Sequence, residues 1–213
     1  MSSTVVPDTI TDRLAEVRVV PVTSFETAHQ AQATGAALLR GGITCIEVTF
    51  RTAAAAEAIT QARELDGLLV GAGTLLSAEQ VREAVDAGAQ FGVAPGTNLS
   101  VIEAARDLGL PFFPGVATPS EIERARCLGA EIMKVFPAGP VGGPAFLKAV
   151  AAVYPDVRFI PTGGVDARTV ADYLAVPSVL AVGGSWIAPA NLIREGRYDE
   201  IERLARGARK RAS

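Results

Sequence analysis

The chain has 213 residues and a formal net charge of −3, with 49% hydrophobic and 20% charged residues. That is the composition of a globular protein with material for a large core, and its mild acidity argues against a nucleic-acid partner. No apolar run approaches the length of a membrane span. The first residues lack the basic-then-apolar order of a secretory signal, so a cytoplasmic protein is expected. Cys45 and Cys127 belong to no ligand-spaced cluster and read as free thiols. His29 is the only histidine. This removes a His-rich zinc site and leaves a Ser-His-Asp triad only if the His29 helix faces the site. His29 and both cysteines read as packing residues, and no metal or cofactor is expected.

In chain order, a short helix at about 8–16 comes first. Apolar strand-like runs follow at 18–22, 43–49, 68–72, 91–94, 112–116, 132–136, 157–161 and 179–183. They recur at intervals of about 20 to 26 residues, with helical segments between them. Thr118-Pro119-Ser120-Glu121 has the form of an N-cap, a proline at the first helical position and a capping-box glutamate. Ser77, Asn98 and Asp166 are further N-cap candidates, and Gly88, Gly109 and Gly129 read as helix stops. A last helix at about 198–211 carries a basic run from Arg203 to Arg211, suited to the negative end of its dipole.

Eight strands alternating with helices imply a parallel sheet, and eight is the number that closes into a (β/α)8 TIM barrel. The alternative is an open doubly wound sheet. Its best nucleotide turn, Gly71-Ala72-Gly73-Thr74, lacks a third glycine. The expectation is one α/β TIM-barrel domain over 1–213, with the barrel at about 18–190.

A barrel builds its site at the C-terminal ends of its strands. There the second run supplies Glu47, Thr49 and Arg51, which alternate onto one face. The third ends at Gly73-Thr74 and the fourth at Ala94-Pro95-Gly96, which brings Thr74 and Pro95 to the rim. The sixth places Lys134 inside an otherwise apolar run, Ile132 to Phe136. A lysine held out of water tends to lose its proton, and a neutral amine is a nucleophile. The competing reading lets Lys134 reach back to solvent from the strand mouth. The last two strands end at Thr162-Gly163-Gly164 and Gly183-Gly184-Ser185. Glycine turns at these positions commonly cradle a phosphate in barrels. Glu47 with Arg51 could instead form a structural ion pair. A carboxylate, a cation and a strand-end lysine together specify aldol chemistry on a 2-oxo acid: imine formation, proton shuttling and carboxylate binding.

These residues also resemble a known family. GGITCIEVTFRT, VGAGT, APG, PGVATPSE, KVFPA, RFIPTGGV and VGGSW are similar to the motifs of the 2-keto-3-deoxy-6-phosphogluconate (KDPG) aldolases, over about 18–205. The resemblance implies a class I aldolase releasing pyruvate and glyceraldehyde 3-phosphate, a homotrimer, and no cofactor. It implies Lys134 as the Schiff-base lysine and Glu47 as the acid–base. It further implies Arg51 and Thr74 as pyruvate-carboxylate binders, Thr162 as a hydroxyl contact, and Gly163, Gly164, Gly184 and Ser185 as the phosphate site. One departure is Gly139, where several members of the family have FPAE. The competing activities are the galactonate-epimer aldolase and 4-hydroxy-2-oxoglutarate (KHG) cleavage. From other classes come a phosphate isomerase or epimerase barrel, which would use paired acids or a metal, and a non-catalytic binding barrel.

Overall fold

The computed structural model describes residues 9–212. The expected leading helix starts at Asp8, outside the described residues; its described part is α1 (Ile10–Val17), capped by the Thr9 hydroxyl, which accepts from the Asp12 N–H. Strands and helices then alternate. They are β1 (Val19–Thr23), α2 (His29–Arg40), β2 (Cys45–Thr49), α3 (Ala55–Arg63), β3 (Leu69–Gly73), α4 (Ala78–Asp86), β4 (Phe91–Val93) and α5 (Leu99–Asp107). Next come β5 (Phe112–Phe113), β6 (Gly115–Val116), α6 (Pro119–Cys127), β7 (Ile132–Val135), α7 (Gly143–Val153), β8 (Arg158–Pro161) and α8 (Val170–Leu174). The chain ends with β9 (Val182–Gly184), α9 (Ala190–Arg194) and α10 (Tyr198–Ala212).

All strand pairs are parallel. They form one arc ordered β5-β4-β3-β2-β1-β9 and a second ordered β6-β7-β8. The arcs join at both ends. β5 and β6 are two halves of one stave, interrupted at Pro114, which has no N–H to give; its carbonyl still accepts from the Lys134 N–H at 2.9 Å. At the other seam, parallel bridges link Phe159 to Val179 and Thr162 to Gly183. The result is a closed ring of eight staves, which excludes the open sheet.

The helix ends follow the local chemistry. Thr118 and Glu121 form the full capping box, and the Ser77 and Asn98 side chains cap α4 and α5. Gly88, Gly109 and Gly129 take positive φ just after α4, α5 and α6. Asp166 accepts from the N–H groups of Arg168 and Thr169, so it caps the turn leading into α8 rather than the helix proper.

The eighth strand differs from expectation. The apolar run at 179–183 suggested one strand, yet Val179 makes only an isolated bridge and β9 begins at Val182. The chain changes partners there: Val179 meets β8, whereas Val182 to Gly184 pair with Val19 to Pro21 of β1. An apolar run records burial and not which neighbour a backbone bonds.

Valine, isoleucine, leucine and alanine fill the interior between sheet and helices in one cluster that runs from Leu14 to Ala212. Glu47 and Lys134 are the only buried charged side chains among the described residues.

Candidate active site

Glu47 lies on β2 and Lys134 on β7, four staves apart in a ring of eight, so they face each other across the barrel. Lys134 Nζ lies 3.2 Å from Glu47 Oε1, with the two residues 4% and 3% exposed. Neither side chain reaches solvent, so Lys134 does not snorkel. Taking two charges out of water costs several kcal/mol per ion, and close mutual pairing is what makes it tolerable. At 3.2 Å a proton can pass directly between amine and carboxylate.

The surrounding backbone is shaped to this pair. A Cβ on Gly73 would stand 2.1 Å from Glu47 Oε1, so only glycine leaves room for the carboxylate. The Thr23 hydroxyl donates to the Glu47 carbonyl at 2.9 Å, and the Thr49 hydroxyl donates to the Thr23 carbonyl at 2.8 Å. These two bonds tie β1 to β2 at the level of the carboxylate. Gly115 pairs in register with Lys134, and the Pro95 backbone packs where a Gly115 Cβ would be. Cys45, buried on the same strand as Glu47, has its thiol pushed up by burial and by the Glu47 charge, which leaves it a poor nucleophile. Thr74 follows Gly73 with φ 60. A β-branched residue there carries strain on the order of 1–3 kcal/mol, of the kind that gathers at functional sites.

Above the pair, the strand ends enclose a cavity of about 650 Å³. Arg51, Thr162, Gly163, Gly164, Gly184 and Ser185 all line it. Gly163 and Gly164 have φ +87 and +84, a conformation closed to most side chains. Glu47, Lys134, Thr74 and Pro95 do not line it. Phe136 belongs to both groups, since it lines the cavity and its ring centroid lies 5.6 Å from Lys134 Nζ.

Arg51 is exposed in the turn after β2, and among the described residues its guanidinium has no hydrogen bond or ion pair. The Glu47–Arg51 ion pair is therefore not formed; Glu47 is committed to Lys134. Thr162 is buried beside Gly183, where an added Cβ would fall 2.3 Å from its hydroxyl. His29 and Cys127 are exposed, contrary to the packing role expected of them, because each occupies the outer face of its helix. Among the described residues no three His, Cys, Asp or Glu side chains gather as metal ligands would. No described helix is long and apolar enough to cross a membrane.

Several cavity residues are not among the site residues the sequence points to, including Thr23, Ser24, Phe136, Asp166 and Trp186. Trp186 lies over Gly184, where a Cβ would collide with its ring, and it lines the cavity. Its signal was its place directly after Gly-Gly-Ser. Asp166 also lines the cavity, with its carboxyl lowered to about 2 by hydrogen bonds from the Arg168 guanidinium and backbone. The sequence identifies it only as a cap, and its charge at the rim is offset by Arg168.

An acid–amine pair sealed inside a closed β/α barrel, under a glycine-lined mouth, defines a lysine-bearing barrel enzyme of the aldolase class. The chain belongs to the KDPG and KHG aldolase family, which matches residues 10–204. It is 46% identical over 198 residues to the 2-dehydro-3-deoxy-phosphogluconate aldolase of Treponema pallidum, covering 92% of this chain and 94% of the relative. It is 42% identical to the KHG/KDPG aldolase of Escherichia coli, covering 89% and 90%. The KDPG aldolase of Legionella pneumophila, solved with pyruvate captured as a covalent carbinolamine, superposes with a TM-score of 0.89 at 35% identity, covering 93% and 97%.

Replacing Gly73 by Ala should push the Glu47 carboxylate off Lys134 while leaving the barrel folded. Displacing a reacting group by about 1 Å costs roughly a hundredfold, so kcat of Gly73→Ala should fall by that order. Unchanged kcat would mean that the carboxylate's position is not tied to Gly73.

Proposed function

We propose that the chain is a class I aldolase that cleaves KDPG to pyruvate and glyceraldehyde 3-phosphate, with Lys134 as the imine-forming nucleophile and Glu47 as the proton carrier. The observation that carries this is the buried 3.2 Å contact between them. Glu47 takes a proton from the lysine ammonium, and the freed amine attacks the substrate ketone to give a carbinolamine. Glu47 returns that proton to the carbinolamine hydroxyl, which leaves as water; the nitrogen keeps its last proton in a protonated imine, an electron sink, and Glu47 is a carboxylate again. Glu47 then removes the proton of the C4 hydroxyl, the C3–C4 bond breaks, and its electron pair moves into the enamine as the aldehyde leaves. Protonation of C3 and hydrolysis of the imine release pyruvate and restore the amine. A single carboxylate within reach of the nitrogen serves each transfer in turn.

In this reading Arg51, unpaired at the mouth, takes the substrate carboxylate as a fork that fits it in two places, and Thr74 and Pro95 shape the pyruvate end. Thr162 meets a substrate hydroxyl. Gly163, Gly164, Gly184 and Ser185 hold the phosphate through backbone N–H groups and one hydroxyl. KHG cleavage uses the same chemistry, and the E. coli relative is named for both activities. An isomerase or epimerase barrel would want paired acids, whereas the buried pair here is an acid and an amine.

The chain is read as one barrel domain, supported by its single core cluster, and as a cytoplasmic protein, consistent with two free thiols. It is also read as a homotrimer. Leu76 and Leu99, 56% and 42% exposed, adjoin through the Asn98 amide, which donates to the Leu76 carbonyl. Exposed apolar residues in a group suit a subunit interface. Sedimentation should report three chains per particle; a monomer at micromolar concentration would overturn this.

Borohydride added with pyruvate should inactivate the enzyme and place one reduced adduct on Lys134, whereas borohydride alone should do neither. Lys134→Arg should take no adduct. An adduct on Lys148 in its place would overturn the assignment, and full activity without any adduct would overturn the imine.

Ser185→Ala should weaken KDPG cleavage by roughly ten- to hundredfold in kcat/KM, since a hydrogen bond to a charged group is worth about 1.5–3 kcal/mol. Cleavage of KHG, which has no phosphate, should be spared. Equal loss on both substrates would place the phosphate elsewhere.

A further inference from the structure

The opposite, N-terminal face of the barrel holds a second cavity, of about 490 Å³. Three segments meet there: the last turns of α7, the entry to β8, and the loop leading to Val179. Lys148 comes from the first, Arg158 from the second and Ser178 from the third. Ala151, Val157 and Pro177 supply apolar wall.

The two charged side chains here are donors without protein partners among the described residues. Lys148 and Arg158 are both exposed, and among the described residues neither side chain makes a hydrogen bond or ion pair. No acidic residue lines the cavity. The adjacent Asp156 is held by Arg126 at 2.6 Å, and Glu131 meets Arg158 only by accepting its backbone N–H at its carbonyl, at 2.9 Å. The Ser178 hydroxyl is buried and has no partner, although its carbonyl accepts from the Phe159 N–H. Buried hydroxyls are ordinarily satisfied; this one lies just behind the cavity wall and meets a ligand there by a turn about its Cα–Cβ bond. The reaction described above uses none of these groups: Arg158 opens β8, whereas Thr162 lies just past its far end.

We propose that this cavity is a binding site for a small phosphate monoester, distinct from the substrate's own phosphate site. Two cations and a hydroxyl match a dianion with three free oxygens; a carboxylate offers one charge and two oxygens. The apolar wall receives the organic part of the ligand.

The lysines of the chain are Lys134, Lys148 and Lys210, which permits a direct test by trace acetylation and peptide mapping. Acetic anhydride labelling of Lys148 is measured relative to Lys210, exposed on α10, in inorganic phosphate and in chloride at equal ionic strength. Phosphate should slow Lys148 at least threefold against Lys210, and Arg158→Gln or Ser178→Ala should reduce that protection. An unchanged Lys148 to Lys210 ratio in wild type would overturn the site. Protection that survives Arg158→Gln undiminished would overturn this arrangement of donors. Acetate protecting as well as phosphate would overturn the ligand class.

Discussion

The structure is organised around one electrostatic constraint: a carboxylate and an amine are held inside a sealed barrel, where water cannot solvate either. Neither residue could be there alone. Removing one partner of such a pair leaves an uncompensated buried charge, at a cost of about 3–5 kcal/mol. The barrel meets the constraint by placing Glu47 and Lys134 on opposite staves at matching height, 3.2 Å apart. Gly73 is bare so that the carboxylate fits, and the Thr23 and Thr49 hydroxyls fix the neighbouring backbones in register. The same low-polarity setting that makes the pair costly also makes proton exchange between its members cheap to repeat, which multi-step imine chemistry requires.

Charge handling is divided by depth. Inside, a side-chain acid and amine work as a closed couple. At the mouth, the groups to which we assign recognition are backbone N–H donors on glycine turns, one serine hydroxyl, and the unpaired guanidinium of Arg51, all of which line the cavity. Backbone donors carry no titratable proton, so they can hold an anion without entering the acid–base cycle below. Asp166 would oppose an anion at this rim, and Arg168 lies against it. Phe136 touches both levels, lining the mouth and lying against the Lys134 ammonium.

The barrel's two faces also differ in how their cations are used. On the catalytic face, Lys134 is matched by an acid, and Arg51 has no protein partner among the described residues. On the other face both Lys148 and Arg158 are unmatched. β8 runs from one face to the other, with Arg158 at its start and Thr162 beyond its end.

Much of this was written locally in the chain. Strand periodicity, the capping box at Thr118 and the helix-stopping glycines depend on near neighbours, so the order of elements could be read directly. Lys134 interrupting an apolar strand, and Glu47 two residues before the end of another, were likewise visible, as were the glycine pairs of the mouth. What the linear pattern could not supply was pairing at a distance. Alternation along β2 grouped Glu47 with Arg51, but closure of the ring brought Glu47 to Lys134, 87 positions away in sequence. The same closure decided that Val182, rather than Val179, would start the last strand. It also made Gly73 a steric requirement and put Thr74 into a left-handed conformation. Sequence alone determined which residues were costly to bury and the order in which the elements follow one another. Only the tertiary structure decided which of them touch, because partner choice is set by the geometry of barrel closure and not by any neighbour along the chain.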